Sequence, residues 1–303
     1  MSKKVVCFGE MLWDCFPDHE IPGGAPMNVA LHLHQLGLAV KMISRVGNDA
    51  HGQRILDFVN SYGLDTSCIQ QDEQYATGTV EVDNADVENI KYTIVSPVAW
   101  DFIALRNESL KAVQAADAFI FGSLSVRNPE SWETLYHLLH EPVLKIFDIN
   151  LRAPFYDFEQ IEIILGYTDI LKINEDELVI VADYFDIDLP EKATHLEMSK
   201  LVCAYLTEHF PVSMVCVTLG ANGAMIYQEG KIISHPGYQV KVEDTVGSGD
   251  AFLSGFVKTY LERKRPEEIL DFACAMGAYV ATQKGGTPRY EIEDVLKVKG
   301  AAK

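Results

Sequence analysis

Short apolar, β-branched runs alternate along the chain with longer amphipathic stretches. Val5–Gly9, Val40–Val46, Ala118–Phe121, Leu144–Asp148, Asp169–Ile173 and Ser213–Leu219 read as buried strands. Their apolar character is continuous rather than alternating, as in strands covered on both faces. Val29–Leu36, Gln53–Tyr62, Ser131–Leu139, Glu175–Tyr184 and Met198–His209 carry helical periodicity between them. This alternation predicts βαβ units and a mostly parallel sheet. Two helices close the chain, Asp250–Arg263 and Pro266–Gln283. The first is rich in small and aromatic residues, so burial is expected.

Two segments break the rhythm. Met11–Ile21 follows the first strand with no helix, and Thr77–Ile94 alternates in strand fashion around a polar turn, Asp83–Asn89. The second reads as a hairpin. Together they predict a small antiparallel sheet set apart from the main one. The chain of 303 residues fits one large α/β domain over 1–303 with this appendage, and at that size it needs no disulfide or structural metal to fold.

A net charge of −19 argues against nucleic acid or an anionic membrane as partner. Any anionic substrate must then meet a locally positive site. The six cysteines, at 7, 15, 68, 203, 216 and 274, are scattered without a Cys-x-x-Cys pair. Reduced buried thiols in a cytoplasmic protein are expected. The apolar stretch after Lys3 and Lys4 stops at Gly9 and Glu10, too short for a signal peptide, and no run approaches a membrane span.

The most informative stretch is Asp244-Thr245-Val246-Gly247-Ser248-Gly249-Asp250, which runs directly into a helix. Glycines before a helix let successive N–H groups point at one spot, and the helix N-terminus adds to the attraction for an anion. A carboxylate at Asp250 competes with that anion unless it receives a proton from a hydroxyl attacking a phosphoryl group held by the amides. The plain alternative is an acidic residue in a first helical turn. A dinucleotide fingerprint fails here, because Phe252 stands where the third glycine should be. A P-loop fails because Gly230-Lys231 is followed by Ile232.

Gly23-Gly24-Ala25-Pro26-Met27-Asn28 opens another helix. Its glycines permit close approach of a ligand, and Asn28 offers a donor and an acceptor suited to sugar hydroxyls. A plain N-cap is the alternative. Asp14 lies among bulky apolar residues and needs a partner. Asp148–Arg152, Asn174–Glu177 and Thr218–Gly223 each end a strand, where ligands gather in a parallel sheet. Each alone could be turn chemistry; together they point to one site. His32 and His34 face different sides of a helix and cannot share a metal. Trp100-Asp101-Phe102 reads as a packed edge of the appendage.

On these residues the chain resembles the ribokinase-like (PfkB) carbohydrate kinases over essentially its whole length. Gly23–Gly47 resembles the family's N-terminal signature and Asp244–Gly255 its C-terminal one, and Asn174/Glu177, Thr218–Gly223 and the Asp250 loop follow in the family's order. The resemblance implies a Rossmann-like αβα sandwich with a small β-sheet lid built from about residues 11–21 and 77–105. It implies Asp250 as the base, with Gly247, Ser248 and Gly249 as the anion hole. Asp14, Gly24, Asn28 and Arg152 would bind the sugar. Asn174 and Glu177 would organise the Mg²⁺–phosphate end, and Thr218, Gly220 and Gly223 would line the ATP site. A potassium ion near the anion hole is implied at Asp244 and the carbonyls of Val246, Val280 and Gly285, although Arg289 departs from the small residue some members carry there.

Within the family, Asp148-x-Asn150-Leu151-Arg152 and Val98–Asp101 resemble bacterial fructokinases. The 2-keto-3-deoxygluconate kinases share the first pattern but usually add a Tyr-x-Arg strand for the substrate carboxylate, where this chain reads Lys91-Tyr92-Thr93-Ile94. Fructokinase is therefore the expected activity and 2-keto-3-deoxygluconate kinase the alternative, with Arg106 or Lys91 as a substitute clamp. A catalytically silent sugar-binding regulator is disfavoured by the intact Asp250 loop, and a nicotinamide-dependent oxidoreductase by the missing glycine. The lid strands carry apolar residues in two sets, Leu12, Trp13 and Phe16 against Val80, Val82, Tyr92 and Ile94. A homodimer joined lid to lid is expected from such a thin sheet.

Overall fold

A computed structural model of the chain describes residues 2–83, 91–190 and 194–300. In chain order the strands are β1 (Lys4–Phe8), β2 (Leu12–Cys15), β3 (Glu20–Gly23), β4 (Ala39–Gly47), β5 (Ile69–Asp72), β6 (Gly78–Asp83), β7 (Lys91–Ile94), β8 (Ala118–Gly122), β9 (Leu144–Asp148), β10 (Ile170–Asn174), β11 (Met214–Thr218), β12 (Ala224–Gln228) and β13 (Lys231–His235). Nine form a sheet in the order β13-β12-β11-β10-β9-β8-β1-β4-β5. From β11 to β5 every neighbouring pair is parallel, and β12 and β13 add an antiparallel edge.

Alternate residues of the central strands feed two cores. Val5, Cys7, Ile120 and Ile146 join one face, and Val6, Phe8, Phe119, Phe121 and Phe147 the other. That double burial explains the continuous apolar runs. The chain lays β4 and β5 on one side of β1 and β8 to β11 on the other, so the order reverses between β1 and β8. A crevice at the carboxyl ends of strands flanking such a switch point is where open α/β sheets bind ligands.

The second sheet has the order β3-β2-β6-β7. It is not wholly antiparallel as the sequence suggested, because β2 and β6 pair in parallel. Both follow a strand of the parallel large sheet, β1 and β5, and so leave it in the same sense. The β6–β7 hairpin is present, and its polar turn beyond Asp83 lies outside the described residues. The two apolar sets also divide differently. Leu12 joins Val80 and Val82 in a small core flanked by Phe16 and Ile94, whereas Trp13 points the other way into the main core and donates from Nε1 to the His51 carbonyl at 3.0 Å. Adjacent strand residues face opposite sides, so Leu12 and Trp13 cannot share one. Tyr92 of this sheet is 58% exposed.

Residues 95–105, assigned to the lid from sequence, cross back to the core. The short 3₁₀ turn Ala99–Phe102 there places Trp100 at full burial. The edge strands β12 and β13 and the helices Asn107–Gln114, Phe158–Leu165 and Ile292–Gly300 went unanticipated. The two closing helices run Ser248–Leu261 and Pro266–Ala281. The earlier start of the first puts Ser248, Gly249 and Asp250 inside its opening turn.

Candidate active site

The loop before Ser248–Leu261 is shaped by Gly247, which adopts the left-handed φ of 72°. A Cβ there would stand 2.4 Å from the Cα of Gly286, so only glycine fits. The Ser248 amide donates to the Thr245 carbonyl at 3.2 Å and that of Ala251 to the Gly247 carbonyl at 2.9 Å, while those of Gly249 and Asp250 have no backbone acceptor among the described residues. Two amides thus point ahead of the helix, an arrangement suited to an anion. A Cβ on Gly249 would meet nothing nearer than the Lys172 Nζ at 3.8 Å. Packing does not require that glycine, whereas access to the amides does.

Asp250 accepts a hydrogen bond at Oδ2 from Asn28 Nδ2 at 2.8 Å. Burial pushes its carboxyl up to about 6; the Asn28 bond opposes the rise, the Asp148 charge adds to it, and Lys172 and Arg152 hold it down. The helix Ala25–Gln35 carries Gly24 at its N-cap position and Asn28 a turn inside. Asn28 is therefore not a cap. Among the described residues its Oδ1 is buried without a partner, an unmet acceptor that the fold itself does not satisfy.

Asp14 sits on β2, its carboxyl pushed up to about 6 by burial and opposed by Arg152. A Cβ on Gly23 would come within 2.6 Å of Asp14 Oδ2, and one on Gly24, where φ is 111°, within 2.5 Å of the Glu10 carbonyl. The glycine pair thus lets Asp14 and the Glu10 backbone approach the chain closely. Arg152 is exposed and donates from Nη1 to the Leu151 carbonyl. Its charge reaches Asp14, Glu10 and Asp250.

Sequence reasoning missed Glu10 and Lys172. Glu10 is 3% exposed, its Oε2 has no partner, and burial pushes it up to about 7. It lines, with Gly122, Asp148, Asn150 and Leu253, a cavity of about 10 Å³, room for one water. Lys172 is a buried cation whose Nζ lies 2.9 and 3.2 Å from the Asp148 oxygens. Burial alone would lower its pKa, but Asp148, Glu177 and Asp250 outweigh that and raise it. A lysine inside an apolar strand run was the available signal. His32, read from sequence only as unable to share a metal with His34, braces the loop behind Gly247. It is fully buried and burial lowers it to about 4, so the ring is neutral. Its Nε2 bonds the Gly286 carbonyl at 2.8 Å.

At the carboxyl end of β10, Asn174 caps Glu175–Tyr184 through its bond from the Glu177 amide, and Glu177 Oε2 accepts from the Asn174 amide in return. Glu177 Oε1 accepts from Leu151 N at 2.9 Å, which fastens the Arg152 loop to this helix. Thr218 ends β11, and Gly220 and Gly223 bend the turn to β12 at φ of 52° and 87°. A Cβ on Gly223 would strike the His235 carbonyl at 2.0 Å. Asp244 accepts from Val246 N at 3.0 Å and Gly285 N at 3.1 Å, drawing those loops together. The Val280 carbonyl already accepts from Gln283 N at 2.8 Å. Among the described residues no group of three or more His, Cys, Asp or Glu could hold a metal, and no helix is long and apolar enough to cross a membrane.

A buried acid in the first turn of a helix whose opening amides lack backbone acceptors, in a doubly wound fold with a second small sheet, is the arrangement of a phosphoryl-transfer enzyme of the sugar-kinase class. The pfkB family carbohydrate kinase model matches residues 2–292, and the chain belongs to that family. It is an ATP-dependent carbohydrate kinase. It is 29% identical over 328 aligned residues to a probable fructokinase-7 of Arabidopsis thaliana, covering 97% of this chain and 91% of that protein. Among solved structures it resembles fructokinase with bound ATP from Xylella fastidiosa, with a TM-score of 0.84, 22% identity and 99% of each chain covered. The 2-dehydro-3-deoxygluconokinase of Thermotoga maritima gives a TM-score of 0.86 at 21% identity, again over 99% of each chain. At those identities the structures speak for the fold alone.

Proposed function

We propose that the enzyme phosphorylates fructose at a primary hydroxyl, with Asp250 as general base. The observation that carries the chemistry is the Asp250–Asn28 bond, which turns the base toward the cleft and leaves Asn28 Oδ1 for the substrate. An Asp250 oxygen takes the hydroxyl proton as the sugar oxygen attacks the γ-phosphorus in line and ADP departs. The free amides at Gly249 and Asp250, with Gly247 and Ser248 shaping the turn, hold the charge on the transferring group. Asp14, Gly24, Asn28 and Arg152 position the sugar, and Thr218, Gly220 and Gly223 line the nucleotide.

Magnesium bound to the nucleotide phosphates would offset their charge, with Asn174 and Glu177 holding that end. Both Glu177 oxygens are already engaged by backbone amides, so its part there is fixed negative charge. The oxygens of Asp244, Val246, Val280 and Gly285 would be the donors to a hard monovalent cation such as potassium, which would share the Asp244 oxygens and the Val280 carbonyl with the amides they already accept. The small sheet acts as a lid that excludes water as a competing acceptor. We also infer a homodimer through that sheet, on β7 as its edge strand among the described residues and on exposed Tyr92, and a cytoplasmic setting, on six free cysteines.

A neutral ketose is favoured because no arginine stands in Lys91–Ile94 and because relatives are named fructokinases. In an ATP-coupled assay, kcat/KM for fructose should exceed that for 2-keto-3-deoxygluconate by at least about tenfold. The reverse order would assign the enzyme to the acid sugar and make Lys91 or Arg106 the carboxylate clamp.

A further inference from the structure

Arg127 lies just after the 3₁₀ turn that follows β8, and neither signature of the family includes it. Its side chain is 5% exposed and grips Asp101, 1% exposed, through Nε to Oδ1 at 2.7 Å and Nη2 to Oδ2 at 2.9 Å. Nη2 also donates to the Val95 carbonyl at 2.7 Å. The guanidinium is stacked against two rings, 4.0 Å from the centre of Trp100 and 4.6 Å from that of Phe155. Such a buried, bidentate and stacked arginine is held in one geometry.

Its partners lie on two stretches of chain, residues 95–101 after β7 and the loop after β9, and the first of these packs on a third, the start of β6. Val95 is where the chain leaves the small sheet, and its amide donates to Thr79 of β6. Trp100 rests on the other crossing, since a Cβ on Gly78 would stand 2.4 Å from the indole nitrogen. The Trp100 carbonyl accepts from Ser131 Oγ, which in turn accepts from Ile103 N, fixing this segment to the helix Pro129–Leu139. Phe155 belongs to the loop that bears Arg152, and its amide donates to the Arg152 carbonyl at 2.7 Å.

We propose that Arg127 is a positioning residue for the sugar site, fastening both crossings of the small sheet to the Arg152 loop so that lid and loop meet the sugar as one unit. This rests on the reading of the small sheet as the lid and of Arg152 as a sugar contact. Arg127 is buried behind these groups and acts through them. It sets where the groups that contact the sugar stand.

The test compares wild type with Arg127→Met, using whichever sugar wild type turns over best. The expected result is a sugar KM raised at least about tenfold, an ATP KM within about twofold, and more ATP hydrolysed per sugar phosphorylated. A merely structural role would lower the melting temperature and leave both KM values unchanged, which would overturn the proposal, as would an equal rise in both. Should Arg127→Met fail to fold, Phe155→Leu removes one stacking face and keeps the Asp101 pair. It should raise the sugar KM about threefold or more with the ATP KM unchanged, and an unaltered sugar KM there would equally overturn it. A wild type that prefers a sugar other than fructose refutes the substrate assignment alone, because the Arg127 comparison is made on the preferred sugar.

Discussion

Replacing Asp250 with asparagine separates chemistry from stability, and the structure gives a direction for each. The amide keeps the shape of the carboxylate and an oxygen for Asn28 Nδ2, but it cannot take a proton. A positioned base contributes roughly 10²–10⁴-fold, so kcat should fall by that order with the sugar KM within about threefold. Stability should move the other way. Burial raises the Asp250 pKa from 3.8 to about 6, a shift of roughly two units, each worth 1.36 kcal/mol. Ionised Asp250 therefore destabilises the native state at neutral pH by up to about 3 kcal/mol. The sign follows from proton binding: between pH 3.8 and about 6 the folded protein holds a proton that the unfolded chain releases. Stability from this group is complete below pH 3.8 and is lost as pH rises through about 6. Asp250→Asn should thus melt higher than wild type at pH 7, with the gap closing as pH falls toward 4. Steady-state kinetics and thermal melts across that range test both halves. A kcat within about threefold of wild type would remove Asp250 from the mechanism. A variant less stable than wild type at pH 7 would refute the burial argument.

Gly249→Val should reduce kcat by about 100-fold or more with little change in melting temperature, because its Cβ has room but the amides lose access; a large loss of stability with normal residual kinetics would make the loop merely structural. Asp14→Ala should raise the sugar KM strongly and leave that of ATP nearly unchanged, and equal effects on both would contradict its placement. Wild-type kcat/KM should decline as pH falls through about 6, where Asp250 and Asp14 protonate; a profile flat to pH 5 would contradict the raised carboxyls. Light scattering at micromolar concentration should give twice 33.8 kDa, reduced by Tyr92→Glu, and a fully active wild-type monomer would remove the lid dimer.

The local grammar of this fold was open to reading. Continuous apolar strands, amphipathic helices between them and glycines before Asp250 are properties of neighbours in sequence, so β1, β8 to β11 and the anion-hole turn could be read without coordinates. The resemblance on Gly23–Gly47 and Asp244–Gly255 then supplied roles for Asp14, Asn28 and Asp250. Where a residue's partner lies far along the chain, the sequence was silent. Asn28 and Asp250 are 222 residues apart, and only the structure shows that Asn28 bonds Asp250 rather than capping a helix. Lys172 in an apolar strand gains its meaning from Asp148 in the next strand, and His32 from the Gly286 loop. The parallel pairing of β2 with β6 depended on how two distant segments leave the large sheet. Arg127 has no local signature at all, since it bridges the segment after β7 and the loop after β9. Sequence order determines which groups are available at each strand end. Long-range packing alone decides which of them are desolvated together, and desolvation is what moves Glu10, Asp14 and Asp250 away from ordinary carboxylates.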